Sequence, residues 1–313
     1  MLTVSRIAIT LILTAVLWST TSLSAADIFD EAGRGYTENG DVKIHYATVG
    51  DGPLVIMIHG CPDFWYTWRH QMEGLREHFK VVAIDQRGYN HSSQPDGVES
   101  YAMPLLVSDV AAVIRHFGQD KAVIVGHDWG GSVAWNFAFT NPQMVDELII
   151  LNLPHLNGLM RVAATNPEAQ ANTNYAQVFR YGSSAGPDIL RGGPMTSQTL
   201  ARWVRDPAAR THYLTAFQRS DFDAMLSYYK MNYPAPPKPG AGLPPLLPNL
   251  DMQVLMFHGL DDTALHSDGL NNTWDWIDQD LSIVSAPGAG HFVQQDAAEL
   301  VTSTMKWWLL ARQ

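Results

Sequence analysis

The stretch that decides the fold is Ala122-Val-Ile-Val-Gly-His-Asp-Trp-Gly-Gly131, an apolar run followed by a Gly-x-Asp-x-Gly motif. A strand that ends in Gly-x-nucleophile-x-Gly and opens a helix makes a strained turn, the nucleophile elbow, which lifts one side chain above the edge of the sheet. In this chain that side chain is Asp128. A carboxylate that attacks an sp3 carbon forms an ester, whereas attack on an ester or amide would form an anhydride. The motif therefore predicts displacement at a carbon–heteroatom bond and not ester hydrolysis.

Short β-branched runs alternate with helical patterns on both sides of this motif. Such alternation predicts an α/β fold whose mostly parallel sheet is covered by helices on both faces. Residues 154–248 show helical patterns and end in a proline-rich linker, which predicts a helical cap between core segments 27–153 and 249–313. Strands are predicted at residues 43–46, 54–58, 81–84, 122–125, 148–151, 254–257 and 281–285, and a closing helix is predicted at 297–310.

Residues 1–26 have the order of a secretory signal. Arg6 is the only charge, and the apolar stretch 7–18 is followed by a polar run and by the small residues Ser24-Ala-Ala26. About a dozen apolar residues is short for a membrane span of about 20. We therefore expect cleavage after Ala26, with Ala25 as the alternative, and export of a mature chain that does not insert stably into a membrane. Periplasmic and secreted locations both fit this expectation.

Composition and charge narrow the choice of partners. The 313 residues are 46% hydrophobic, which suits one large α/β domain with an insertion or two small domains. The net charge is −11 and no basic block is present, so the sequence predicts a neutral small-molecule partner and no nucleic acid. Cys61 is the only cysteine, which excludes an intramolecular disulfide. A homodimer is left open.

Two loops after the elbow supply partners for its nucleophile. In this architecture the order along the chain is nucleophile, acid, histidine. Asp262 follows the strand at 254–257, and His291 follows the strand at 281–285. Both lie at the carboxyl ends of strands, where α/β sheets bind ligands. We assign His291 as the base and Asp262 as the acid that orients it, with Asp261 as the competing choice.

The strand at 54–58 runs into a tight loop, His59-Gly-Cys-Pro62. The backbone N–H of Cys61, together with that of Trp129 after the nucleophile, is expected to form an oxyanion hole. This role uses the backbone and not the Cys61 thiol, which is expected to fill space.

These motifs resemble those of α/β-hydrolase-fold epoxide hydrolases, over essentially the whole mature chain. The segments that carry the resemblance are His59-Gly-Cys-Pro-Asp-Phe-Trp-Tyr-Thr-Trp-Arg69, Asp85-Gln-Arg-Gly-Tyr-Asn-His-Ser92 and Asn152-Leu-Pro-His155. The resemblance implies a cap inserted after the sixth strand. It also implies hydrolysis of an epoxide to a vicinal diol through an aspartyl ester, with no cofactor and no metal. Cys61 stands where the family usually has phenylalanine, and Asn90 stands where it usually has glycine.

Members of that family also use two tyrosines of the cap to polarise the epoxide oxygen. The matching positions here are Tyr175 and Tyr229, with Tyr228 as the alternative to Tyr229. A phenol suits this task because it donates a hydrogen bond at neutral pH and can give a proton to the opening alkoxide. A small lipophilic epoxide and water are therefore the expected partners. The side chains expected to line the substrate pocket are Phe64, Trp65, Phe179, Tyr228 and Phe292.

Three other functions compete with this one. Haloalkane dehalogenases resemble the chain in their aspartate nucleophile, but they often hold halide with an asparagine where Cys61 stands. Fluoroacetate dehalogenases carry an arginine just after the nucleophile, where this chain has Trp129 and Ser132. A non-catalytic ligand-binding protein of the same fold would be free to lose triad members, and none is missing here. The sequence favours the epoxide hydrolase.

Overall fold

A single eight-stranded sheet forms the centre of the protein. The computed structural model describes residues 27–186, 189–190, 193–235 and 245–312. The strands are β1 Gly33–Asn39, β2 Val42–Val49, β3 Leu54–Ile58, β4 Lys80–Ile84, β5 Ala122–His127, β6 Val145–Leu151, β7 Val254–Gly259 and β8 Leu281–Ala286. Their spatial order is β1-β2-β4-β3-β5-β6-β7-β8. The pairs β1–β2 and β2–β4 are antiparallel, and the other neighbours are parallel. The predicted α/β class with a mostly parallel sheet is confirmed.

Twelve α-helices are found among the described residues. They are α1 Ile28–Glu31, α2 Arg69–Leu75, α3 Met103–His116, α4 Trp129–Thr140, α5 Leu156–Thr165, α6 Pro167–Asn172, α7 Asn174–Tyr181, α8 Ser197–Leu200, α9 Pro207–Arg219, α10 Phe222–Asn232, α11 Val293–Asp296 and α12 Ala298–Leu310. Helices α5 to α10 lie between the sixth and seventh strands, where the cap was expected.

The core lies at the middle of the sheet. Every residue of β3 and of β5 is buried, which is the pattern of parallel strands covered on both faces. Helix α4 packs on β5 and against α3, while α2 packs against α12. This burial fixes the position at which β5 ends, and therefore the position of the turn at Asp128.

One strand, β1, is absent from the sequence prediction. Its residues read Gly-Arg-Gly-Tyr-Thr-Glu-Asn, with two glycines and mostly polar side chains. Because β1 is an edge strand that pairs with β2 alone, it needs no apolar run on both faces. Each of the predicted strands, by contrast, lies inside an observed strand.

Side-chain hydrogen bonds join the cap to the core. The hydroxyl of Tyr213 in α9 donates to Asp63 Oδ1 at 2.8 Å. The backbone N–H of Asn90 donates to Ser220 Oγ at 2.8 Å, just after the same helix. The cap is thus held beside the loops that follow β3 and β4.

Two sequence predictions fall outside the described residues. They are the secretory signal, residues 1–26, and most of the proline-rich linker, residues 236–244. Over the part of the chain that the structure describes, no helix has both the length and the apolar character needed to span a membrane.

Candidate active site

Asp128 stands at the turn between β5 and α4, with φ 51° and ψ −121°. This positive φ is unusual for a residue other than glycine and marks the strained turn of a nucleophile elbow. The flanking glycines permit the turn, because a Cβ at Gly126 would collide with the Gly130 carbonyl and one at Gly130 with the Ile58 carbonyl. The predicted elbow therefore has its expected geometry.

Asp128 is 7% exposed, and each oxygen of its carboxylate has a different neighbour. Its Oδ1 accepts a hydrogen bond from the Cys61 backbone N–H at 2.7 Å. Its Oδ2 lies 3.4 Å from His291 Nε2. Burial would raise the pKa of Asp128, but the hydrogen bond and charge of His291 outweigh it and lower the pKa. Asp128 is therefore an ionised carboxylate at neutral pH.

The peptide that joins Gly60 to Cys61 is held on both sides. His59 Nδ1–H donates to the Gly60 carbonyl at 2.7 Å, and His59 Nε2 accepts from the Gln86 N–H at 3.1 Å. Burial lowers the pKa of His59, which keeps the ring neutral and able to play both parts. His59 thus orients the Cys61 N–H toward Asp128, a role that the sequence does not predict.

His291 lies between two carboxylates. Its Nδ1 is 2.9 Å from Asp262 Oδ2, and its Nε2 faces Asp128. Burial alone would lower the pKa of His291, but the charges of Asp262 and Asp128 and their hydrogen bonds raise it to about 10. Burial would raise the pKa of Asp262, but the charge of His291 and its hydrogen bond outweigh burial and lower this pKa. In the resting state His291 is therefore a cation, and its positive charge offsets the negative charge of one of the two neighbouring carboxylates.

Asp262, and not Asp261, is the carboxylate that contacts His291. The Asp262 side chain is fully buried, and its Oδ1 accepts the backbone N–H groups of Ala264 and Leu265. Asp261 is exposed. Asn152, at the end of β6 with φ 41°, adds a hydrogen bond from its Nδ2 to Asp262 Oδ2 at 2.7 Å.

Asn152 and His127 support the site, and sequence reasoning missed both roles. Asn152 follows β6 at the carboxyl edge of the sheet, and this position was the available signal. His127 Nε2 donates to the His291 carbonyl at 2.8 Å and so fixes the backbone at His291. Burial and the charge of His291 lower the pKa of His127 to about 4, so this ring is neutral.

The three candidate tyrosines occupy two different environments. Tyr175 in α7 and Tyr229 in α10 face the cavity beside Asp128, with ring centroids 6.4 Å apart. Tyr228 instead donates its hydroxyl to the Arg87 carbonyl at 2.8 Å inside the core. Burial, first of all, raises the pKa of Tyr175 and Tyr229 well above 10, so both phenols keep their protons at neutral pH.

The cavity above Asp128 has a volume of about 560 Å³ and mostly apolar walls. None of the five side chains predicted for the pocket lines it, which corrects that prediction. Their rings pack on other aromatic rings or are tied to the backbone. Phe64 packs on Tyr213, Trp65 on Phe29, Phe179 behind Tyr175 and Tyr229, and Phe292 on Trp203, while Tyr228 bonds to Arg87. The apolar walls come instead from Leu153, Leu156, Leu159, Met160, Leu247 and Leu265.

The two departures from the family pattern have physical explanations. Asn90 has φ 44°, a conformation that asparagine tolerates almost as glycine does, and its side chain donates to Asp85 at 2.9 Å. Cys61 is buried, and burial followed by the charge of Asp128 raises the pKa of its thiol to about 12. The thiol therefore stays protonated. Across the described ranges, no group of three or more His, Cys, Asp or Glu side chains is arranged to bind a metal.

Comparisons with known proteins agree with this geometry. The family model described as alpha/beta hydrolase fold matches residues 53–298. Epoxide hydrolase 1 from Caenorhabditis elegans is 32% identical over 283 residues, which are 86% of this chain and 68% of that protein. A solved epoxide hydrolase from metagenomes of hot environments superposes with a TM-score of 0.77 at 31% identity, covering 88% of this chain and 98% of that one.

A variant of an epoxide hydrolase from Bacillus megaterium, solved with its product, a naphthyloxy-propane-diol, has a TM-score of 0.77 at 27% identity. The match covers 89% of this chain and 100% of that one. The turn at Asp128, the His291–Asp262 pair and the helices after the sixth strand thus occur here in a chain that is similar to these enzymes over most of its length. The chain belongs to the α/β-hydrolase fold family and, within it, to the epoxide hydrolases.

Proposed function

We propose that the protein converts a neutral epoxide and water to a vicinal diol in two steps, with Asp128 as the nucleophile. The observation that carries the proposal is the pair of phenols, Tyr175 and Tyr229, that faces this carboxylate across an apolar cavity. When a carboxylate displaces an alkoxide, negative charge develops on the leaving oxygen. An acid must neutralise this charge by giving the oxygen a proton, and the two phenols can act as that acid.

In the first step Asp128 forms a bond to one epoxide carbon while the bond from that carbon to oxygen breaks. Oδ1 is engaged by the Cys61 N–H, which leaves Oδ2 as the attacking oxygen. Tyr175 and Tyr229 hydrogen-bond to the epoxide oxygen, and one of them gives it a proton. The product of this step is a single 2-hydroxyalkyl ester on Asp128, whose hydroxyl carries the proton given by the tyrosine, and that tyrosine is left as a phenolate.

The ester changes the protonation of His291. The pKa of about 10 in the resting state depends on two carboxylate charges, and ester formation removes one of them. The pKa of His291 therefore falls, its proton leaves, and the phenolate recovers a proton through solvent. A neutral His291, still oriented by Asp262, then takes a proton from water as that water attacks the ester carbon.

The tetrahedral intermediate of the second step carries its negative charge on the oxygen that was Oδ1. The Cys61 N–H already lies 2.7 Å from this oxygen. Trp129 begins α4, so its backbone N–H has no acceptor one turn earlier in the helix. Both donors are therefore proposed to stabilise the oxyanion. Collapse of the intermediate breaks the bond between the ester carbon and the alkoxide oxygen, which takes the proton from His291 and leaves as the diol. The carboxylic acid that remains gives its proton to His291, which restores the Asp128 carboxylate and the protonated His291 of the resting state.

The proposed substrate is small, neutral and lipophilic. A cavity of about 560 Å³ holds a molecule of drug-like size or smaller. Asp128 is the only charged side chain among the described residues that line it, so a second carboxylate would be buried without a partner. The related Bacillus megaterium enzyme binds an aryloxy diol, which fits the same class.

Release of halide needs no acid, so a haloalkane dehalogenase would have no use for the two phenols. Incubation with racemic styrene oxide and, separately, with 1-bromobutane distinguishes the two activities. We expect diol from the epoxide and little bromide from the haloalkane. Bromide release that exceeds diol formation would exclude the proposal, and no product from either would favour a ligand-binding protein.

A single turnover in 18O water tests the covalent step. Because water adds to the ester carbon, the first label should enter the carboxyl group of Asp128. Peptide mass spectrometry of the Asp128 peptide after one turnover measures this. Label found only in the diol would show that water attacks the epoxide directly.

We also propose that residues 1–26 direct export and are removed. The support is the order of charged, apolar and small residues in this segment. Intact mass of the protein from periplasm and medium would show a chain that begins at Asp27, or at Ala26 if cleavage occurs one residue earlier. A full-length chain retained in the cytoplasm would exclude export.

A further inference from the structure

Helix α4 begins beside Asp128 and forms one wall of the cavity. Over residues 129–138 all side chains are buried except two, Ser132 and Asn136, which are partly accessible. Both line the cavity. Residues four apart lie on the same face of a helix, so the two form a short polar stripe along that wall.

These two side chains keep hydrogen-bonding capacity that the protein does not use. Asn136 Nδ2 donates to the Ser132 carbonyl at 2.8 Å. Within the described ranges, neither Asn136 Oδ1 nor the Ser132 hydroxyl makes a hydrogen bond. Desolvating a polar group that has no hydrogen-bond partner costs free energy. A ligand that supplies the partner offsets this cost.

Two other polar side chains at the cavity wall, Thr173 and Asn232, are already engaged. Thr173 donates its hydroxyl to the Ala169 carbonyl at 3.0 Å. Asn232 accepts from the Met103 N–H at 2.9 Å and donates to the Tyr101 carbonyl at 2.8 Å. Ser132 and Asn136 therefore differ from these neighbours in facing the cavity with free donors and acceptors.

The stripe stands at a defined distance from the reacting carbon. Ser132 is four residues and Asn136 eight residues beyond Asp128, which at 1.5 Å per residue is about 6 Å and about 12 Å along the helix axis. An epoxide bound at Asp128 would place its tail, and not its ring, beside these residues. The wall of the same cavity includes Leu153 and Leu156, which suit a hydrocarbon spacer.

We propose that Ser132 and Asn136 form a polar subsite for an uncharged hydrogen-bonding group in the tail of the substrate. The inference rests on the proposed epoxide hydrolysis and specifies its substrate class. The preferred substrate is an epoxide that carries a hydroxyl, ether or carbonyl oxygen beyond an apolar spacer. The subsite has no charged side chain of its own, so it selects for polarity and not for charge.

A series of terminal epoxides of increasing chain length tests the subsite. Each ω-hydroxy epoxide is compared with the ω-methyl epoxide that has the same number of heavy atoms, from about four to about ten carbons, so that the tail spans both positions on the helix. We measure kcat/KM for each pair. The hydroxyl-to-methyl ratio should be low for short chains and rise about tenfold once the hydroxyl reaches the stripe.

Two variants assign the effect to the stripe. Asn136→Leu and Ser132→Ala should each lower the hydroxyl-to-methyl ratio of the long substrates by about threefold to tenfold, while turnover of the methyl substrates persists. Thr140→Val is the matched control, because Thr140 is an exposed residue one turn further along α4 that does not line the cavity. Far-UV circular dichroism confirms that each variant is folded, and Ser132→Ala keeps the test valid if Asn136→Leu does not fold.

The possible outcomes are distinct. A ratio that never rises with chain length, or that both folded variants leave unchanged, overturns the subsite while the proposed hydrolysis stands on the methyl substrates. Failure of the methyl and hydroxyl series alike would reject the hydrolysis and the subsite together.

Discussion

Asn152 and Asp262 are joined by a hydrogen bond of 2.7 Å that reaches from the end of β6 to the loop after β7. The same carboxylate oxygen lies 2.9 Å from His291 Nδ1. The amide oxygen of Asn152 accepts a hydrogen bond from the Gly259 N–H at 3.2 Å. This contact fixes the orientation of the amide, with its nitrogen toward Asp262. Asn152 therefore orients the Asp262 carboxylate, and Asp262 in turn orients the His291 ring.

Asn152→Gly should slow ester hydrolysis more than ester formation. Glycine tolerates the φ of 41° at this position, so the variant removes the hydrogen bond without adding backbone strain. A hydrogen bond to a charged group contributes about 1.5–3 kcal/mol, so the hydrolysis rate should fall about tenfold or more. Stopped-flow kinetics separates the two steps. A loss shared equally by both steps would indicate a general structural role.

His291→Gln should form the ester and fail to hydrolyse it. The base is needed only in the second step, so the alkylated protein should accumulate. Intact mass after addition of styrene oxide should show one added substrate, and peptide mapping should place it on Asp128. Full turnover at the wild-type rate would remove His291 from the role of base.

Tyr175→Phe and Tyr229→Phe should each slow ester formation. Loss of one hydrogen bond to developing charge costs about 2–4 kcal/mol, which is roughly a 30-fold to 1,000-fold change in rate. Tyr228→Phe is the matched control, because its hydroxyl is bound to the Arg87 carbonyl and not to the cavity. That variant should lower the melting temperature and leave the single-turnover rate of ester formation within about twofold. If Tyr228→Phe slowed ester formation more than Tyr229→Phe, Tyr228 would be the proton donor instead.

The two steps should respond differently to pH. The pKa of Asp128 is lowered, so ester formation should fall only when the pH drops into the acid range. Hydrolysis needs neutral His291, so its rate should rise with pH and level off at a pKa below the value of about 10 in the resting enzyme. Single-turnover rates for both steps, measured from about pH 5 to about pH 10, test this. A hydrolysis rate that does not change over this range would contradict the proposed loss of charge.

The buried Asp63 should make folding stability depend on pH. Burial, first of all, raises the pKa of this carboxyl from 3.8 to about 7. Its stabilising contribution is therefore complete below about pH 4 and is lost as the pH rises through about 7. Asp63→Asn keeps an oxygen that accepts from Tyr213 and removes the titration. The melting temperature of the variant relative to wild type should therefore be higher at pH 8 than at pH 5. An equal difference at both values would show that Asp63 does not titrate on folding.

The sequence was sufficient to predict the turn at Asp128, the proximity of His291 and Asp262 to it, and the helices between the sixth and seventh strands, because each follows from a local pattern. The strand before Asp128 is fully buried and begins with the apolar run 122–125, and Gly126 and Gly130 lie two residues on either side of Asp128. The edge strand β1 was missed because an edge needs no such pattern.

Pocket residues were harder to predict, because an aromatic side chain near Asp128 or the loop after β3 can point either into the cavity or into the core. Phe64 is close to the oxyanion loop in sequence, yet its ring packs on Tyr213 in the core. Ser132 and Asn136 face the cavity from a helix whose register only the three-dimensional packing reveals. The choice between Tyr228 and Tyr229 was of the same kind, since adjacent helical residues point about 100° apart.

The hydrogen bond from Cys61 to Asp128 is made by a peptide group and not by a side chain. Its direction is set by His59, which holds the preceding carbonyl. Any residue with a backbone N–H can therefore occupy position 61 without loss of the donor. The side chain at position 61 sets the size of the wall beside Asp128, whereas the backbone of the same residue supplies the hydrogen-bond donor, so the two properties are independent of each other.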